Sequence, residues 1–280
     1  MKVSALSFTR QIIIYMVLAV YFTSCGLFDW SDPTEIQVKS LKDAEEKLAK
    51  HTFCGDTPNN PVYITVEFDL GDLSKPDNNY LRLLEIIGNS GLYAVLMLGG
   101  AKMGGTTVFT TPPLNEAVKG MEKIMKIYIP LITTSIKADI NGISPFFFYE
   151  KLFNVSASGS KISEISDYAF KSCKTLKQIS VGSAKSIGRE AFRDCESLRD
   201  VFSIRLEEIG DYAFFNCSTF ESIGISWKLP TLGDSVFLGS TPSKFTIRIK
   251  EEHARLYGEW LAENASKFND DGIYIVFEKY

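Results

Sequence analysis

The chain has 280 residues, 30 Lys+Arg against 34 Asp+Glu, a formal net charge of −4, 45% hydrophobic residues and 5 cysteines. That length and apolar content suffice for a sizeable buried core, while the balanced, scattered charge supplies no basic field for nucleic acid. Cysteine is too sparse for a scaffold built on disulfides.

Residues 1–25 read as a secretory signal peptide. Lys2 and Arg10 give a positive start, residues 12–22 form an apolar run too short to span a bilayer, and Thr23 and Ser24 lead to Cys25. The tetrad Phe22-Thr23-Ser24-Cys25 resembles a relaxed lipobox, with Phe22 where leucine is commoner. The resemblance implies lipidation of Cys25 and export across the inner membrane, with an anchored position at the outer membrane or cell surface ahead of the periplasmic face. The other reading is an ordinary signal peptide with an incidental cysteine.

Residues 26–61 read as a tether with a short helix over 41–50, bracketed by Pro33, Pro58 and Pro61. Cys54 stands alone in it, outside any disulfide framework. Residues 62–139 read as an N-terminal capping block. Within it, 62–68 alternate as a strand. Residues 77–87 place Leu81, Leu84 and Ile87 on one helical face, with Pro76 and Asp77 suited to the start. Residues 93–98 suit a buried strand, 114–125 a second helix, and Ile127-Tyr-Ile-Pro130 the first strand of a solenoid. The loop Gly99-Gly-Ala-Lys-Met-Gly-Gly105-Thr-Thr107 lacks a lysine directly after its last glycine, so it reads as a cap loop and not a phosphate loop.

From 140 to 244 the sequence repeats itself. Ile165, Ile187 and Ile209 stand 22 residues apart and are followed by Leu232; Phe170, Phe192, Phe214 and Phe237 form a second column, and Ala169, Ala191, Ala213 and Val236 a small third one. Leu176, Leu198 and Phe220 are each followed three positions later by Ile179, Val201 and Ile223, the inward spacing of a strand. A unit this short cannot bury its own apolar face, so a fixed period means stacked coils sharing one core. Phe146, Leu152 and Val155 read as a degenerate early copy. Ser203 stands where Val181 and Ile225 stand in other copies, which predicts a local bulge. Residues 245–280 read as a C-terminal cap: a strand at 245–249, a helix over 251–267 with Leu256, Trp260 and Leu261 inward, a turn at 269–272 and a last strand at 273–277.

The run Ile165-Ser-Asp-Tyr-Ala-Phe-Lys-Ser-Cys173-Lys-Thr-Leu176-Lys-Gln-Ile179, echoed from Ile187 to Cys195 and from Ile209 to Cys217, resembles the BspA-type leucine-rich repeat of bacterial surface proteins. The fourth copy departs from it, with Ser240 for the cysteine and Pro242 in the next strand. The resemblance implies an α/β fold, a short right-handed leucine-rich-repeat solenoid with strand, short helix and strand in each coil of about 22 residues, and α/β caps at both ends. It also implies a cell-envelope protein that binds protein or glycan ligands, in adhesion to host matrix or other cells. A periplasmic structural or assembly lipoprotein with no host ligand is the alternative.

On such a strand the residues between the inward ones face outward, which makes Gln178, Ser180, Asp200, Phe202 and Ser222 the candidate binding face. Phe202 either anchors a partner there or is turned inward by the expected bulge. Cys173, Cys195 and Cys217 share one column; without the short-spaced pairs of a zinc site they read as buried side chains in a stack. The two histidines, His51 and His253, are far apart in sequence, and no nucleophile elbow, paired catalytic set or EF-hand spacing around Asp270 and Asp271 is present. The sequence therefore points to no enzyme, no cofactor and no metal, and to a membrane reached through a lipid.

Overall fold

The computed structural model describes residues 35–52, 54–203, 205–225, 229–240, 245–250, 259–260, 263–264 and 273–278. The signal segment with Cys25, Pro242, His253 and the turn at Asp270 and Asp271 lie outside them. The alternation around Ile179 and Ile165 builds two parallel sheets, because each coil between residues 94 and 232 contributes one strand to each. The long sheet runs β1 (Glu35–Val38), β2 (Val62–Val66), β3 (Ala94–Met97), β5 (Ile124–Tyr128), β7 (Asn154–Ser156), β9 (Gln178–Ser180), β11 (Asp200–Ser203), β13 (Ser222–Ile225), β15 (Phe245–Lys250) and β16 (Ile273–Glu278), neighbours paired in that order. The short sheet runs β4 (Val108–Phe109), β6 (Ser135–Ile136), β8 (Glu164–Ile165), β10 (Ser186–Ile187), β12 (Glu208–Ile209) and β14 (Thr231–Leu232). Together they form an α/β repeat solenoid, and inward residues from β1 to β14 belong to one core.

The phenylalanine column sits at its centre. Phe146 to Phe170, Phe170 to Phe192 and Phe192 to Phe214 are parallel ring stacks with centroids 4.9, 5.1 and 5.1 Å apart. The stack reaches further than the readable repeat at its start, where Phe109 joins before Phe146 at 5.5 Å, and Phe237 follows Phe214 at 5.5 Å as its column predicts. Tyr80 closes the first end edge-on against Phe109, and its buried hydroxyl bonds that of Tyr149 at 2.8 Å. Burial raises both phenols above their ordinary range.

Two helices flank the early coils. In α1 (Leu41–Lys50) the Ser40 hydroxyl accepts from Asp43 N, Lys47 reaches back to Gln37 O at 2.6 Å, and Ala44 and Leu48 are buried. In α2 (Asn79–Ser90) the buried Asn78 side chain accepts from Leu81 N, and Gly91 ends the helix in the left-handed region. The segment expected as a tether is thus folded over 35–50, with β1 in register against β2. The strands of the expected capping block continue both sheets of the repeats, β2, β3 and β5 the long one and β4 and β6 the short one.

Three local expectations are corrected. Residues 114–125 are not a helix: a 3-10 turn at Met121–Lys123 leads straight into β5. Leu114, Val118 and Met121 still pack on the core, but Gly120 adopts φ 100 and lies so close to α2 that a Cβ on Gly88 would sit 2.6 Å from Gly120 N. Close backbone approach has replaced helical continuation. The helical turn expected after Ile165 is instead a run of turns in which Tyr168, Glu190, Tyr212 and Ser235, and again Ser172, Asp194 and Asn216, take positive φ. There is no bulge at Ser203 either. Strand β11 keeps register with β9 and β13, because Ser203 Oγ donates to Ala184 O at 2.7 Å and so satisfies its own burial.

Removing one ring should open a cavity that both neighbouring coils must bridge. Phe192→Ala is expected to lower unfolding stability by about 3–5 kcal/mol. Urea denaturation followed by circular dichroism measures it; a loss under about 1 kcal/mol would mean the stack is not what holds the coils together.

Candidate binding face

From β5 to β13, pairing in strict register turns each outward position of the long sheet into a row, while between β3 and β5 the register shifts at Ala94 and Val95. One row runs Lys126, Asn154, Gln178, Asp200, Ser222; the next runs Tyr128, Ser156, Ser180, Phe202. Of the residues expected on this face, Gln178 is exposed, and Ser180, Asp200 and Phe202 are half-buried. Phe202 faces outward, since Ser203 and Val201 take the inward positions. Ser222 is a correction: it is 4% exposed, and its hydroxyl donates to Asp200 Oδ1 at 2.5 Å. It orients the carboxylate and offers no open surface of its own.

The rows also contain residues that sequence reasoning passed over. Asn154 Nδ2 donates to Gln178 Oε1 at 3.1 Å, the Ser158 and Ser180 hydroxyls are 2.9 Å apart, and Lys126 Nζ lies 4.4 Å from the Tyr128 ring centroid. Burial, and secondly the neighbouring Tyr128, raises the Tyr63 phenol. The signal was available: once Val155 and Ile127 are read as inward, 154, 156, 126 and 128 must point out.

The cysteine column has a different use. Cys195 Sγ donates to Phe170 O at 2.9 Å and Cys217 Sγ to Phe192 O at 3.0 Å, while Ser240 Oγ makes the equivalent bond to Phe214 O. Each ties its coil to the carbonyl of the coil before, which is why serine can replace cysteine in the fourth copy. Burial pushes the Cys173 thiol up to about 12 and raises Cys195 and Cys217 further above their ordinary range. Among the described residues no three His, Cys, Asp or Glu side chains converge as metal ligands. His51 Nε2 lies 3.2 Å from the buried Cys54 Sγ at the end of α1.

Beside the short sheet lies a groove of ≈ 490 Å³, lined by Glu164, Asp167, Arg189, Glu208 and Asp211 among others. Its floor is backbone: Gly188 and Gly233 leave room for Asp167 Oδ1 and Asp211 Oδ1, which accept from Arg189 N and Asp234 N of the following coil. These carboxylates are therefore engaged in coil stacking. Nearby, Glu190 is 6% exposed and meets Lys171 at 2.8 Å, Arg193 at 3.3 Å and Arg189 at 3.5 Å. Burial acts to raise its carboxyl, but Lys171, then Arg193 and Arg189, outweigh it and hold the group below the usual range. The loop at 99–107 is closed by Asp69, whose Oδ1 accepts from Gly71 N at 2.9 Å and Gly104 N at 2.7 Å.

A family model for the BspA type leucine rich repeat region matches residues 141–259 in 6 copies. No curated protein matches the chain. Among solved structures, a leucine-rich repeat protein from Bacteroides ovatus is similar at 17% identity over 82% of this chain, with a TM-score of 0.43. The match covers 56% of that protein, so this chain spans little more than half its length.

These contacts make two outcomes measurable. Cys195→Ser, whose hydroxyl can keep the bond, should stay within about 0.5 kcal/mol of wild type, whereas Cys195→Ala, which leaves the Phe170 carbonyl only the bond from Cys173 N, should lose about 1–1.5 kcal/mol in urea unfolding. Glu190→Gln should lose about 1–3 kcal/mol at neutral pH. Because folding lowers this pKa, its contribution is present above the unfolded carboxylate value and is lost as pH falls through the folded one. The gap between variant and wild type should therefore close below pH of about 4, read from denaturation series at successive pH values.

Proposed function

Starting from a BspA-type leucine-rich-repeat region over residues 141–259, we propose that this protein is a lipid-anchored envelope protein. It presents the outer face of its long sheet to a ligand on host matrix or on other cells. Repeats of this kind are protein-binding scaffolds. The observation that carries the reading is the pair of outward rows in unbroken register, with the half-buried Phe202 ring set among polar side chains. An aromatic side chain among hydrogen-bonding groups offers a ligand an apolar contact and polar partners together.

No helix among the described residues is long and apolar enough to cross a membrane. Attachment is assigned instead to an acyl chain on Cys25, with the polypeptide free to face outward. A short array offers limited surface to any one ligand, so adhesion draws on many anchored copies acting together, where effective concentration multiplies weak single contacts.

Metabolic labelling with a palmitate analogue should mark the wild type and miss Cys25→Ala, and protease added to intact cells should remove the labelled protein. Labelling with protection from protease would replace adhesion by a periplasmic assembly role. Labelling that survives Cys25→Ala would remove the anchor from the proposal.

A further inference from the structure

The outward rows contain one group whose bonding is incomplete. Asn154 is 9% exposed and its Nδ2 is held by Gln178, yet its buried Oδ1 has no donor. A buried acceptor without a partner is destabilising, and native folds keep few of them. This one belongs to an outward row of a strand; its oxygen is closed to solvent, so a bound molecule that displaces the side chains over it can supply the missing proton.

The chemistry around it is specific. On one side is the Lys126 ammonium, with Tyr128 beneath it. On the other are the Gln178 amide and the Asp200 carboxylate, the latter oriented by Ser222. In the adjacent row Ser156 and Ser180 separate Tyr128 from Phe202, joined through Ser158 by hydroxyl contacts of 3.4 and 2.9 Å. The two rings are three strand spacings apart, roughly 14 Å. Between them lie hydroxyls and amides that can both donate and accept. Charge is confined to one cation and one carboxylate at opposite ends, so the stretch has no net field for a charged polymer.

We propose, resting on the reading of this face as the binding surface, that the stretch from Tyr128 to Phe202 is a subsite for an uncharged, hydroxyl-rich oligosaccharide that donates a hydroxyl to Asn154 Oδ1. Sugar rings have apolar faces that pack on aromatic side chains and polar edges that bond amides and carboxylates, which matches rings at both ends of a polar trough. A protein partner is matched less well, because the core of a protein interface is apolar and depleted in such groups.

The test is calorimetric titration of the purified full chain with neutral hexasaccharides built from glucose, mannose, galactose, xylose or N-acetylglucosamine, beside a hyaluronan oligomer as the acidic control. At least one neutral hexasaccharide should bind, with a Kd on the order of 1 mM or tighter. Tyr128→Ala and Asn154→Ala should each weaken it by about tenfold or more, while Tyr128→Phe retains it. Should Asn154→Ala not fold, Gln178→Ala, at an exposed position, releases the Asn154 amide and should weaken binding likewise. Binding of none of the neutral sugars, binding of the acidic oligomer alone, or binding unchanged in Tyr128→Ala overturns the subsite. The broader reading fails separately: adhesion of cells that survives Phe202→Ser removes this face as the binding surface, whereas adhesion lost in that variant without sugar binding leaves the face and makes its ligand a protein.

Discussion

The distance between successive phenylalanine rings fixes the rest of the molecule. Parallel strands pair at 4.7–4.9 Å, and the rings from Phe146 to Phe214 stack at 4.9–5.1 Å. The two spacings agree, so one advance per coil satisfies the backbone ladders of both sheets and the ring stack at once. The turns bear the consequence. To return the chain in so few residues, Tyr168, Ser172, Glu190, Asp194, Tyr212 and Asn216 adopt left-handed backbone that is unfavourable for side-chain-bearing residues. The strain is offset between coils: Tyr168 N, Ser172 N, Glu190 N, Asp194 N, Tyr212 N and Asn216 N each donate to a carbonyl of the next coil at 2.8–3.0 Å. A single coil has no such acceptor, which is a physical reason the unit is stable only in a stack.

The same translation puts like residues one strand spacing apart, and like charges there repel. The outward columns avoid this by alternating. Lys174 pairs with Glu196, Lys185 with Glu207 and Arg199 with Glu221, each one 22-residue period away. In the groove beside the short sheet Ser186 separates Glu164 from Glu208, and Arg189 separates Asp167 from Asp211. Exposed pairs of this kind contribute little to stability singly, but alternation lets charged columns exist on a fold whose symmetry works against them.

Much of this was legible because repetition amplifies weak signals. No single Ile-Ser-Glu-Ile segment announces a strand, but Ile165, Ile187, Ile209 and Leu232 in the same place do, and the ring stack follows from Phe170, Phe192 and Phe214 alone. What was not legible lies where the period fails. Phe109 and Tyr80 complete the stack from segments with no recognisable repeat, so their role depends on tertiary placement. The helix expected over 114–125 yielded to a backbone contact between Gly120 and Gly88 that no local pattern encodes. Ser203 was misread because its polarity was weighed without its acceptor: Ala184 O is a near neighbour only once the coil has closed. On the candidate face, Asn154 escaped notice because it belongs to a coil whose repeat is degenerate.

Ser203 and Asn154 together say something about where a regular fold can carry function. Both are polar side chains in buried positions of the long sheet, and each departs from what its neighbours do. Ser203 points into the core and is satisfied within the chain, so the departure ends there and the register is undisturbed. Asn154 points out of the sheet and is satisfied at its amide nitrogen but not at its oxygen. Local rules are broken in native proteins mainly at strained or functional sites, and the two cases separate those possibilities: a departure that closes on itself is structural, and one left unsatisfied on the outward side of the sheet is suited to an external group. The unsatisfied one also falls where the alternation of charge seen in other columns gives way to amides and hydroxyls, so a coil whose repeat is degenerate is also furnished with groups that can hydrogen-bond a ligand.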